Sequence, residues 1–119
     1  MLRDQNRLFV YGTLRVHRAV PWILEGSKII ETFRRIPGYR MFSCGRYPTV
    51  QPVHQGGFSI LGDVILVSSK KLFELDVYEG TETGEYERIW DDKHAFWIYV
   101  MGAHPAKIFF PIDTGIWNF

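Results

Sequence analysis

Only one stretch of this chain, Ser69 to Gly80 (SKKLFELDVYEG), reads clearly as an α-helix. It has Ser69 as the expected N-cap, good helix formers behind it, and Gly80 where a left-handed residue would end the last turn. The rest of the chain is mostly short apolar runs broken by glycine and proline. Leu8–Tyr11 reads as a strand that stops at Gly12. KIIETFRRI (28–36) favours a strand ending before Pro37-Gly38, and YRMFSCG (39–45) alternates as a strand does. FSILGDVILV (58–67) is another, with Gly62 marking a bulge or a close backbone approach. EYERIWDD and AFWIYVM form an antiparallel hairpin turning near Asp92 and Lys93. RYPTVQPVHQGG (46–57), with two prolines and a glycine pair, reads as an irregular surface segment. A short helix or turn fits between Val20 and Leu24, and the aromatic tail KIFFPIDTGIWNF reads as irregular chain docked on the body. Six or so strands with one clear helix predict an α+β domain on an antiparallel or mixed sheet, with curling into a barrel open to it, and argue against a doubly wound parallel fold.

The 119 residues fit a single domain over 1–119, and the 46% hydrophobic and 16% aromatic content is enough for one packed core. With 14 basic against 13 acidic residues, the charge of +1 provides no field for nucleic acid or an anionic membrane, so neither is expected as a partner. A lone cysteine, Cys44, and a charged N-terminus with no long apolar run fit a cytoplasmic protein. The four histidines (His17, His54, His94, His104) have no ligand-like spacing, so no metal is expected. No G-x-S-x-G, P-loop or G-x-G-x-x-G is present to suggest a nucleophile elbow, a phosphate cradle or a dinucleotide cofactor.

Two features remain that could carry chemistry. At 100° per residue, Leu72, Leu75, Asp76 and Glu79 share an arc of about 100°, the stripe a helix normally buries. A buried carboxylate must be paired, hydrogen-bonded or neutralised. For Asp76 the favoured reading is structural, accepting hydrogen bonds from a neighbouring turn or pairing with an arginine such as Arg88. Glu79 lies in the last turn, where the helix dipole and desolvation both push its pKa up; on helix phase alone, a rim position facing water is slightly favoured. The second feature is the strand end at Tyr11-Gly12-Thr13, which can present backbone N–H groups to an anion or can simply turn. Glu82, Glu85, Glu87, Asp91 and Asp92 read as a solvated loop and strand surface.

FVYGTLR near the N-terminus, Tyr47-Pro48, GDVILV (62–67), LDVYEG (75–80), YERI (86–89) and the closing TGIWNF occur in the order seen in the gamma-glutamylcyclotransferase-like (AIG2-like) superfamily, which this chain resembles over nearly its whole length. The resemblance implies a small mixed or antiparallel β-barrel with flanking helices and a cavity at one end. It implies that Tyr11, Gly12, Thr13 and Leu14 bind the glutamyl part of a small-molecule gamma-glutamyl substrate, and that Glu79 is the general acid/base. The implied reaction forms 5-oxoproline and a free amine with no cofactor. A non-catalytic small-carboxylate-binding domain would use the same loop. An interaction module built on the tail would instead expose Phe110, Trp117 and Phe119.

Overall fold

The computed structural model describes residues 5–12 and 25–117; the turn expected between Val20 and Leu24, and Thr13 and Leu14, lie outside them. Eight strands and one helix follow in order: β1 (Asn6–Val10), β2 (Lys28–Pro37), β3 (Tyr39–Ser43), β4 (Pro48–Pro52), β5 (Ser59–Val67), α1 (Ser69–Glu79), β6 (Tyr86–Asp91), β7 (Phe96–Met101) and β8 (Phe110–Ile112). They form a five-stranded sheet, β2-β5-β1-β7-β6, and a three-stranded sheet, β4-β3-β8.

Strand β1 runs through the middle of the larger sheet. It pairs antiparallel with β5, Leu8 opposite Ile65, and parallel with β7, Leu8 opposite Trp97. Its last three residues, Leu8, Phe9 and Val10, and Tyr11 just after it are buried because both faces of the strand are covered. Leu8 and Val10 point to one side, where they pack with Ile65, Val67 and the helix residues Leu72 and Leu75. Phe9 and Tyr11 point to the other, joining Ile60, Phe96 and Ile98 against Met41 and Val50 of the smaller sheet. The period-two alternation of one strand thus organises three layers, a helix, a five-stranded sheet and a three-stranded sheet.

The α+β class is as expected, but the larger sheet is not closed into a barrel: its order ends at β2 and β6. The core is instead sealed by packing the smaller sheet across one face, with Trp117, 1% exposed, set into the same cluster. Three sequence expectations change. RYPTVQPVHQGG is not wholly irregular, because Pro48–Pro52 forms β4 with Pro48, Thr49 and Val50 buried. Both prolines sit at the ends of an edge strand, where a missing N–H disturbs the ladder least. The tail also forms a short strand, β8, paired with β3. The N-cap is Ser68, one residue earlier than expected; its hydroxyl accepts a 3.0 Å bond from the Lys71 N–H.

Gly62 shows both features that its sequence context suggested. The register of β2 on β5 shifts between Glu31 and Arg34, opposite Gly62, and Phe33 at the bulge takes φ of 53° with its N–H donated to Asp63. A Cβ at Gly62 would run into the Val10 carbonyl and lie 2.6 Å from the Phe9 ring. Gly62→Ala is expected to destabilise the fold by about 2–3 kcal/mol, read as a lower urea midpoint at unchanged slope. An unaltered midpoint would show that β1 and β5 can part at no cost.

Candidate active site

The site depends on where α1 ends and what holds it there. Leu72 and Leu75 bury one stripe of the helix against the larger sheet. Asp76, one residue further, accepts two bonds from the Arg88 guanidinium, at 2.7 and 3.0 Å, and a third from the Tyr99 hydroxyl at 2.7 Å. Arg88 in turn lies 4.3 Å from the centre of the Trp97 ring. This is the structural pairing favoured for Asp76, and it ties the last turn of α1 to β6 and β7. Gly80, at φ 73° and ψ 39°, closes the helix with its N–H on the Asp76 and Val77 carbonyls.

With α1 so fixed, Glu79, partly buried, lines a cavity of about 320 Å³. Phe9, Val10, Tyr11 and Gly12 form one wall of it, Tyr47 and Pro48 another, and Tyr78, Glu79, Glu85, Tyr86 and Tyr99 the rest. Its size suits a small ligand. Burial pushes the Glu79 carboxyl from an ordinary 4.5 up to about 7, and the nearby charge of Glu85 adds to the effect. The tyrosines are fastened by their hydroxyls. Tyr11 donates to the Tyr99 carbonyl and Tyr86 to the Pro48 carbonyl, each at 2.6 Å. Burial raises the pKa of both, and they stay neutral. These two bonds link β1 to β7 and β6 to β4 around the cavity, so its walls come from four strands and one helix end.

Of the expected site residues, Tyr11, Gly12 and Glu79 share this cavity, and Thr13 and Leu14 fall outside the described residues. Gly12 has a packing reason to be glycine, because a Cβ would lie 2.8 Å from Cγ of Pro48. The sequence reading missed Glu85, which it assigned to the solvated surface. Gly84, at φ 85°, turns the chain just before it, and the Glu85 N–H and C=O are bonded to Gly80 and Gly102, so the side chain is aimed back over the end of α1. The signal was the Gly84-Glu85-Tyr86 order itself: a turn glycine, then a residue beside an inward-facing tyrosine.

Among the described residues no group of three or more His, Cys, Asp or Glu is placed to hold a metal ion. Their one helix is too short to cross a membrane.

Residues 8–119 match the family described as gamma-glutamyl cyclotransferase, AIG2-like. This chain belongs to that family. A Vibrio cholerae relative whose gamma-glutamylcyclotransferase name is provisional is 33% identical over 115 residues, covering 95% of this chain and 96% of its own. Among solved structures, the ytfP protein of Escherichia coli superposes with a TM-score of 0.70 at 28% identity, over 93% of this chain and 95% of its own. YkqA of Bacillus subtilis gives 0.73 at 27% identity, over 95% of this chain but only 39% of its own. A structure named gamma-glutamyl cyclotransferase, at 15% identity and a TM-score of 0.64, shares the fold of this cyclotransferase family member.

Proposed function

We propose that this protein is a cyclotransferase that converts a gamma-glutamyl amine or gamma-glutamyl amino acid to 5-oxoproline and a free amine. The supporting observation is a single cavity bounded by the end of β1 and by a carboxyl group with a pKa of about 7, in a chain of this family. The reaction is internal to the substrate. Its α-amine nitrogen attacks its own γ-carbonyl carbon, a five-membered lactam forms, and the old amide C–N bond breaks with its electron pair leaving on the amine nitrogen. No water is consumed and no atom changes oxidation state, so the protein's task is to position the substrate and move protons.

Positioning supplies most of the acceleration, since well-held intramolecular reactants reach effective molarities of about 10⁵ M or more. In this reading Tyr11, Gly12, Thr13 and Leu14 hold the glutamyl group, and the walls anchored by Tyr11 and Tyr86 keep the cavity in shape. Glu79 takes a proton from the α-ammonium and returns one to the leaving nitrogen. A carboxyl with a pKa near the working pH can do both in turn.

The direct test is 5-oxoproline release from a panel of gamma-glutamyl amines and amino acids; if none is turned over, the reading fails. Because Glu79 must start ionised, kcat/KM is expected to climb about tenfold per pH unit below 7 and to level off above it. A profile flat from pH 5 to 8 would remove Glu79 from the role.

A further inference from the structure

We propose that the protein has a second ligand site, in a cleft at the far ends of β4 and β6, for a small anion: a carboxylate or phosphate carried on an apolar ring. The first residues of these strands, Pro48 and Tyr86, line the Glu79 cavity, and their last, Pro52 and Asp91, line a cleft of about 500 Å³. At about 3.3 Å per residue the strands separate the two by roughly 15 Å. Asp91 anchors the cleft. Its side chain is 9% exposed; Oδ2 accepts from the Tyr39 hydroxyl at 2.6 Å and lies 3.0 Å from His94 Nδ1, and Oδ1 accepts from the His94 N–H at 2.9 Å. Burial works to raise its pKa, but these bonds outweigh burial and hold the carboxyl below its usual range. Asp91 is therefore an ionised acceptor, and the proton between it and His94 sits on Nδ1. The imidazole also stacks on Phe96, 12° from parallel with ring centres 5.6 Å apart. Closing the β6–β7 turn asks only for the backbone N–H groups of His94 and Ala95, both donated to Asp91. The ring of His94 is fixed in addition, and among the described residues its Nε2 makes no hydrogen bond.

What is left unpaired in this cleft is basic. Lys93 and His54 stand exposed at its edge with no hydrogen bond or ion pair among the described residues, while its one carboxylate, Asp91, is matched by Tyr39 and His94. Pro37, Pro52 and Phe58 supply apolar walls. A cation would face Lys93 with Asp91 already engaged, and a neutral ring would gain only the walls. An anionic group set toward Nε2 and Lys93, with its ring against the prolines and Phe58, uses both. In that complex His94 lies between two negative groups, so the ring carries both protons and donates to each.

Binding of phenyl phosphate, benzoate, benzyl alcohol and benzylamine, followed by calorimetry and by NMR shifts, tests this. One or both of the anions should bind at least about tenfold more tightly than the alcohol and the amine. The bound anion should shift the resonances of His54, Gly57, Lys93 and His94 more than those of Gly12 and Glu79. The tighter of the two identifies the preferred group as phosphate or carboxylate. Substituting His54→Gln and Lys93→Gln together, both at exposed positions, should weaken that anion at least about tenfold, and His94→Gln should weaken it likewise. Binding of neither anion, equal binding of the amine or the alcohol, shifts confined to the Glu79 cavity, or an affinity that survives all three substitutions would each overturn the proposal.

Discussion

Glu79→Gln is expected to lower 5-oxoproline release by at least about a hundredfold, and to leave a protein that is more stable than wild type above neutral pH. The first effect follows from losing the group that carries both protons, since general acid/base residues contribute about 10²–10⁴ in rate. The second follows from linkage. An acid whose pKa rises from 4.5 in the unfolded chain to about 7 in the folded one keeps its proton longer when folded. Between these two values the folded state binds more protons than the unfolded one, so stability falls as the pH rises through this window. Above pH 7 the full cost is present, on the order of 3 kcal/mol before allowing for the carboxyl's partial contact with water, which lowers it. Glutamine carries no such cost at any pH. Thermal melts at pH 5 and pH 8 should therefore converge at low pH and separate at high pH, with the variant above. A variant that is both inactive and less stable at pH 8 would point to a structural carboxylate. One that is stable but equally active would end the acid/base assignment. Ligand binding that survives the substitution in a wild type without turnover would favour a small-carboxylate-binding domain.

Trp117→Ala is expected to cost about 3–5 kcal/mol, the largest stability loss of any single truncation considered for this fold. Trp117 is 1% exposed and packs in the same cluster as Phe9, Tyr39, Met41 and Ile98. The tail is drawn in by backbone bonds, from the Leu61 N–H to the Gly115 carbonyl and from the Gly115 N–H to the Ile112 carbonyl. Removing the indole leaves a cavity that two sheets, each fixed by its own ladder, cannot collapse to fill. In denaturant melts the midpoint should fall sharply, with Trp117→Phe recovering part of the loss. A change under 1 kcal/mol would mean that the tail covers the core without belonging to it. The burial of Trp117 also counts against the tail as an interaction module, since only Phe110 of the predicted exposed aromatics in the described residues is open, at 49%.

How legible the molecule was in its sequence depended on whether the signal was local. The helix, its glycine stop, the β6–β7 hairpin and the strand character of 28–36 all come from residues within a few positions of one another, and the structure has them. The pairing of Asp76 with Arg88 was also readable, because a carboxylate on an apolar helix stripe needs a cation. β4 was missed because its prolines forbid only a central strand, and nothing local marks a strand as an edge. The open sheet was missed for a related reason: closure depends on whether β2 meets β6, which is a matter of long-range packing. At the site, helix phase left Glu79 divided between rim and cavity. What decides it is the Arg88 and Tyr99 anchor on Asp76, whose partners lie 12 and 23 residues away. Glu85 was unreadable by periodicity because it sits before the strand it serves, aimed by Gly84 and Gly102.

The parallel pairing of β1 with β7 has a consequence for how the protein is made. Tyr11 and Gly12 are made about eighty residues before the strand that lies beside β1, which spans Phe96–Met101. Until then β1 can pair only with β5, and the hydroxyl of Tyr11 has no Tyr99 carbonyl to meet. A nascent chain that ends just after α1 already contains the carboxyl of Glu79, but without β6 and β7 that group stays in water and titrates as an ordinary acid. The raised pKa of Glu79 is therefore acquired only when distant segments of the chain close around that one side chain.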